Sequence, residues 1–400
     1  MTTAASPGSA VVPAVSQPHA LACLRALGRR GVHTVAVCEE PDTPAFSSRY
    51  CNERIVVPSP ADDLVEYKDV LLSLASRSDV RTIVPMREAD TYVLSKFRSE
   101  FEDHLVPLWP RFEPLRTVQD RLRLVEAAAE AEVPVPRTSR LDETGEWDRR
   151  QVVKARYSIL TDDYVSSDRP ERYASENAVR FLEPGTEPAA DEIREEMGHV
   201  PIVQEYVPGD EYALWALYDR GEPVATVGKR QVRARSYAGG TSIYRETVHI
   251  PRLAELGRAL LDHLDWHGFA SVQFKRDAAT DEFTLLEINP RTWVSLSCPV
   301  RADIDFPYYY WQLANGVPAR VESDYEAGIG THNLAGEAMY LRSVLRDDNP
   351  FVEAPSFGAA LREISSSLYS QPNCEYLTID DPGPFARMAL NTLASKARIG

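Results

Sequence analysis

Apolar positions recur along the chain with two periods, and the switches between them divide it into strands and helices. Phe269-Ala270-Ser271-Val272-Gln273-Phe274-Lys275 alternates apolar and polar residues as a half-buried strand does. Asp277 to Asp281 is rich in turn formers and Phe283 opens the next strand, so the two predict a hairpin. Glu211 to Asp219 and Pro223 to Arg233 alternate in the same way around the turn Asp219-Arg220-Gly221-Glu222. Near the start the pattern is different. Ala10 to Val15 reads as a strand, His19 to Arg30 as an amphipathic helix closed by Gly31, and Val32 to Cys38 as a second strand. Ile55 to Val57, Leu64 to Ser76 and Thr82 to Pro85 repeat the alternation, which predicts a parallel sheet and a small Rossmann-like domain over residues 1–110. Further helices are expected at Asp120 to Glu130, before Val133-Pro134-Val135-Pro136, and at Arg252 to Trp266, where leucines 253, 256, 260, 261 and 264 form one stripe. An aromatic-rich helix opens at Tyr308 to Trp311, and Phe357 to Ser365 and Pro384 to Lys396 are helical stretches without recognisable chemistry.

Chemistry concentrates at the end of the Phe283 strand. In Leu285-Leu286-Glu287-Ile288-Asn289-Pro290-Arg291, a carboxylate, an amide and a guanidinium fall at every second residue, so they share one face. Glu and Asn oxygens suit a hard cation such as Mg²⁺, and an adjacent Arg suits phosphate oxygens. A strand with a merely polar exposed face would show the same trio. The hairpin places Gln273 beside Glu287 and Asn289, as a third ligand or a support for one. Gln151-Val152-Val153-Lys154-Ala155 is a short strand carrying one of only six lysines, against 38 arginines. The turn Ser16-Gln17-Pro18-His19 lacks the glycines of a dinucleotide fingerprint. Lys229, Arg230, Arg233 and Arg235 precede Tyr237-Ala238-Gly239-Gly240-Thr241-Ser242, a cationic stretch beside a loop whose glycines would let backbone N–H groups approach an anion.

In their order, these motifs resemble the ATP-grasp superfamily over roughly residues 110–320. The resemblance implies an α/β (α+β) architecture: a Rossmann-like pre-ATP-grasp domain at 1–110, an ATP-grasp domain with antiparallel sheets enclosing the nucleotide at 111–320, and a mostly helical extension at 321–400. It implies ATP with Mg²⁺, or Mn²⁺ in its place, held by Glu287 and Asn289 with Gln273. Lys154 would contact the nucleotide phosphates, and Lys229 and Arg291 would offset charge on the transferred phosphoryl group. Pro201 to Tyr212 resembles the hinge strand: the stretch Gln204, Glu205, Tyr206 and Val207 would meet the adenine edge through its backbone, and Glu211 would reach the ribose. Three positions depart from the pattern. Gln273 stands where an acid is usual and Arg121 where a lysine is usual, and Arg156-Tyr157-Ser158-Ile159-Leu160-Thr161-Asp162-Asp163 lacks the glycines of the usual flap. Arg156 and Ser158 remain candidate phosphate contacts, and Arg301 a candidate for a substrate carboxylate.

The activity implied is that of an ADP-forming carboxylate-amine ligase, which makes an acyl phosphate and joins it to an amine. Other ATP-grasp chemistry, such as carboxylation or carbamoyl phosphate formation, and an ATP-binding regulator with decayed catalysis, are the alternatives. Small-molecule acid and amine partners are expected, and a homodimer is compatible. With 60 acidic against 44 basic residues, the net charge of −16 speaks against nucleic-acid or acidic-membrane binding. No apolar run approaches the roughly 18 residues of a membrane span, and Met1 to Ala10 lacks signal-peptide character. Five cysteines without C-x-x-C spacing fit reduced thiols in the cytoplasm, with neither zinc nor a disulfide framework. Scarce lysine with surplus acid suits a salt-rich cell interior or a GC-rich genome. Ser47 to Tyr50 reads as a polar loop, and His263 and His267 as histidines without a metal.

Overall fold

The computed structural model describes residues 8–13, 18–165, 179–319 and 324–399. The first part of the fold is a parallel sheet. β1 (Ser9–Pro13), β2 (His33–Cys38), β3 (Glu53–Val56) and β4 (Val80–Ile83) lie in the order β3-β2-β1-β4. The expected Ala10 to Val15 strand is seen as β1, while Ala14, Val15 and the turn residues Ser16 and Gln17 lie outside the described residues. β1 is buried throughout because helices cover both faces of the sheet. One cover is the helix Pro18–Arg29, whose Leu21, Leu24 and Leu27 are fully buried.

Two antiparallel sheets follow, as the ATP-grasp resemblance implies. β5 (Thr138–Arg140), β6 (Gln151–Lys154), β7 (Val179–Leu182) and β8 (Ile202–Glu205) are ordered β5-β8-β6-β7. β9 (Gly209–Asp219), β10 (Glu222–Ser236), β11 (Gly239–Val248), β12 (Gly268–Asp277), β13 (Phe283–Asn289) and β14 (Gly330–His332) form the larger sheet, ordered β13-β12-β9-β10-β11-β14. The helix Pro251–His263 covers it with Leu253, Leu256, Leu260 and Leu261. Gly257 lets that helix sit close: a Cβ there would come within 2.6 Å of Leu214 Cδ2. At the start of β9, Gly209 has φ +128°, and a Cβ would fall 2.0 Å from the Arg276 carbonyl oxygen. Only glycine fits there, which sets where Glu211 enters the sheet.

The parallel sheet docks on the larger one through aromatic packing. Tyr310, in the helix Phe306–Ala314, stacks on Phe269 with ring centroids 4.7 Å apart and donates to the Ile83 carbonyl at 3.1 Å. The C-terminal stretch is tied to both sheets. β14 pairs with β11, and the helix Leu334–Arg346, which the sequence reading had not singled out, packs on β10 with its Glu337 bonded to Arg233. Arg25 donates to the Asp381 carboxylate at 2.8 Å and to the carbonyls of Glu375, Tyr376 and Asp381. Ser48 Oγ and the Arg49 N–H also bond Asp381, so the polar loop at Ser47 to Tyr50 serves to seat the C-terminal segment. Among the described residues no helix is long and apolar enough to cross a membrane.

Candidate active site

The carboxyl ends of the parallel strands and one face of the larger sheet enclose a cleft of about 780 Å³. Register builds its floor. On the antiparallel pair β12 and β13, Ser271 faces Asn289 and Gln273 faces Glu287. The trio read from the sequence is in mutual contact: Asn289 Nδ2 donates to Glu287 Oε1 at 3.0 Å, and Arg291 Nη2 donates to Asn289 Oδ1 at 2.9 Å. Arg121, at the start of the helix Arg121–Glu130, places Nη2 3.3 Å from Glu287 Oε2 while Nη1 holds the Ala155 carbonyl. Burial alone would raise the Glu287 carboxyl, but Arg121, Lys154 and Arg291 around it and the Asn289 amide keep it below its ordinary value.

Both candidate lysines line the cleft. Burial, with Arg121 nearby, pushes the Lys154 amine down to about 7, although Glu287 pulls the other way. Lys229 is pushed down to about 8 by burial, with Glu211 opposing, and Nζ lies 3.3 Å from Gln231 Oε1. Glu211 is held between Lys275 Nζ at 3.2 Å and Gln231 Nε2 at 2.8 Å.

Among the described residues no group of three His, Cys, Asp or Glu could hold a metal. Glu287, Asn289 and Gln273 instead offer one carboxylate and two amide oxygens, hard donors that suit Mg²⁺. Arg121, Lys154 and Arg291 surround them, so the neighbourhood is too cationic for a bare cation. It fits one that arrives on a polyphosphate, whose negative charge balances both. Gln273→Glu adds a second carboxylate opposite Glu287 and is expected to lower the Mg²⁺ concentration for half-maximal ATP turnover by about tenfold. An unchanged Mg²⁺ dependence would move Gln273 away from the cation.

Several expected residues stand elsewhere. Gln204, Glu205, Tyr206 and Val207 do not line this cleft. Gln204 Nε2 donates to Thr138 Oγ1, the N–H groups of Glu205 and Tyr206 go to the carbonyls of Arg137 and Arg150, and the Tyr206 ring packs on Phe181 and Phe351. Of the four cations after β9, only Lys229 reaches the cleft. Arg230 pairs with Asp210 at 2.8 Å, and Arg233 forms a buried pair with Glu337 at 2.8 Å, because alternation and a bulge after Gln231 turn it to the other side. Arg156 is not available to a phosphate either: both ends of its fork are on Asp120, at 2.9 and 2.6 Å. Ser158 does line the cleft, with a buried Oγ that lacks a partner among the described residues. Arg301 lies outside it and donates to Asn373 Oδ1 at 3.2 Å, and His267 bonds the Pro107 carbonyl. Gly240, Thr241 and Ser242 of the paired-glycine loop are part of the lining.

The sequence reading missed the opposite wall. Glu88 places Oε1 3.4 Å from Arg291 Nε and Oε2 3.3 Å from Gln119 Nε2, and burial raises its carboxyl. Glu39, Glu40 and His19 stand on the same side, Glu39 paired with Arg87 at 2.7 Å. Trp293 stacks on Trp215 with centroids 5.2 Å apart and planes 5° from parallel, and both face the cleft. Glu39 and Glu88 follow the carboxyl ends of β2 and β4, where open α/β sheets bind ligands, and that position was the available signal.

Residues 199–335 match a family model described as ATP-grasp in the biosynthetic pathway with Ter operon. No curated protein matches the sequence. Among solved structures, pyruvate carboxylase from Rhizobium etli superposes with a TM-score of 0.57 at 18% identity, over 78% of this chain and 28% of that one. The chain thus spans little more than a quarter of that protein. The biotin carboxylase domain of Hydrogenobacter thermophilus 2-oxoglutarate carboxylase, in complex with MgADP and bicarbonate, gives 0.60 at 14% identity, covering 81% and 73%. An L-amino acid ligase from Bacillus licheniformis gives 0.55 at 12%, covering 76% and 73%. At these identities the likeness is one of fold.

Proposed function

We propose that this chain, which carries the ATP-grasp fold, is an ADP-forming carboxylate-amine ligase. The observation that carries the reading is the gathering of Arg121, Lys154, Lys229 and Arg291 in one cleft with Glu287, Asn289 and Gln273. Such a set suits a Mg²⁺-bound polyphosphate and a carboxylate. Glu39, Glu40 and Glu88 line the same cleft, Glu39 paired with Arg87 and Glu88 3.4 Å from Arg291, and carboxylates there suit a co-substrate that arrives as an ammonium.

In this reading a substrate carboxylate oxygen attacks the γ-phosphorus of ATP. The new P–O bond forms as the β–γ bridge breaks and ADP departs. The amine then attacks the acyl carbon, the C–N bond forms, and phosphate leaves while the amine proton passes to solvent or to the departing phosphate. Glu287, Asn289 and Gln273 would hold Mg²⁺, which supplies charge neutralisation between the phosphates. Lys154, Lys229 and Arg291 offset the charge on the transferring group, where fixed charges need little reorganisation. Glu211 is the ribose contact. The resemblance assigns the adenine edge to the backbone of Gln204 to Val207, but that stretch stands outside the cleft lining and the N–H groups of Glu205 and Tyr206 are already bonded, so the adenine contact is not part of this reading. Stacked Trp215 and Trp293 help exclude water, which would otherwise hydrolyse an acyl phosphate. Small-molecule partners in the cytoplasm follow from the same reading.

Hydroxylamine tests it. With a pooled carboxylate panel, ATP and Mg²⁺ but no amine, a hydroxamate should accumulate in step with ADP, detected by its ferric complex and by mass. Release of AMP and pyrophosphate in place of ADP would sink the mechanism, since that split requires an acyl adenylate. ADP formation that depends on bicarbonate and on no other acid would favour the carboxylation reading, to which the likeness to biotin carboxylase points.

A further inference from the structure

Ser295, four residues beyond Arg291, lines the cleft and is 4% exposed. Its Oγ accepts a hydrogen bond from Arg245 Nε. A guanidinium has only donors, so the direction of that bond is fixed and the serine proton points elsewhere. No acceptor for it lies among the described residues. Arg245 cannot meet a ligand itself: it is fully buried, Nη1 donates to the carbonyls of Ile243 at 3.0 Å and Thr331 at 3.3 Å, and Nη2 bonds Glu375. Glu375 is buried too, and its other oxygen accepts from Asn333 Nδ2 at 3.1 Å. Its carbonyl is bonded by Arg25 at 2.7 Å, which fixes this stretch of the C-terminal segment to the first helix. A cationic donor on the hydroxyl oxygen polarises the O–H bond and makes it a stronger donor.

We propose that Ser295 donates its hydroxyl proton to an anionic ligand oxygen, of a carboxylate or a phosphate, and that Arg245 and Glu375 are positioning residues that hold it in that direction. The C-terminal segment thereby becomes part of the active site. The inference rests on the ligase reading only for the kind of ligand that enters the cleft.

The test uses the full chain loaded with MgADP, with acetate and inorganic phosphate as separate probes and tryptophan fluorescence as readout, since two of the six tryptophans, Trp215 and Trp293, line the cleft. Ser295→Ala should weaken one probe by about tenfold or more, the range for a hydrogen bond to a charged group. The probe that weakens identifies the source of the oxygen. Ser295→Thr keeps the hydroxyl and should bind that probe within about twofold of wild type. Glu375→Gln should weaken the same probe and add nothing further in the double variant with Ser295→Ala, the non-additivity expected of groups acting through one contact. Independent, multiplying effects would overturn the positioning role. Unchanged binding of both probes in Ser295→Ala, or binding of neither by wild type, would overturn the proposal. If Glu375→Gln does not fold, the alanine and threonine variants decide. Failure of the ligase reading shows separately, as absent hydroxamate in a wild type that still passes this titration.

Discussion

Glu287→Gln is expected to lower ATP turnover by about 100-fold or more, the usual loss when an electrostatic contact to the transferring group is removed. The substitution keeps the shape of the side chain and removes the carboxylate that stands among Arg121, Lys154 and Arg291, leaving Glu88 beside Arg291 as the nearby negative charge. Two effects then act together. The cation loses its carboxylate and keeps only amide oxygens, and the three positive groups lose the charge that lets them sit side by side. Folding should change little: Arg121 keeps its bond to the Ala155 carbonyl and Arg291 its bond to Asn289. Turnover is read as ADP release across a Mg²⁺ series and folding as a thermal melt. Near-normal turnover in a folded variant would remove Glu287 from the metal site.

Lys154 should control how nucleotide binding depends on pH. Its amine is pushed down to about 7 by burial and by Arg121, so above that pH the empty protein holds it largely neutral. Phosphates favour the charged form, so MgATP binding above pH 7 must draw in a proton, and affinity should fall as the pH rises. The uptake is measurable by calorimetry in two buffers of different ionisation enthalpy. Lys154→Arg, which stays charged, should abolish that part of the uptake, while Lys154→Ala should lower ADP release and hydroxamate formation together. Stability of the empty protein runs the opposite way to affinity. The unfolded lysine keeps its proton to its ordinary value near 10.5, so between about 7 and 10.5 the unfolded state binds more protons and stability rises with pH. Binding in Lys154→Arg with the same proton uptake as wild type would mean that another group titrates, and Lys229, pushed down to about 8, is the next candidate.

The local chemistry of this chain could be read without its fold. Period-two alternation put Glu287, Asn289 and Arg291 on one face, and the structure shows them bonded in a row. The same rule set Gln273 beside Glu287 and gave the β9 to β10 hairpin its turn. Strand-helix alternation gave the parallel sheet at the start of the chain. These properties follow from neighbours a few residues apart, where backbone geometry alone dictates direction.

Which charges remain available to a ligand was decided by contacts distant in sequence. Arg156 was a further candidate beside Lys154, and Arg233 a neighbouring cation to Lys229, but Asp120 neutralises the first and Glu337 is buried with the second. Nothing near either arginine in the sequence announces its partner. Glu88, His19 and Trp215 joined the site only because the parallel sheet closes over β9 and β13. Glu375 reached it from the far end of the chain, since Arg245, once buried, needs a counter-charge that its own strand does not provide. Periodicity determines which face of an element a side chain occupies; only the tertiary structure determines which face meets the cleft, and which of its charges has already been paired.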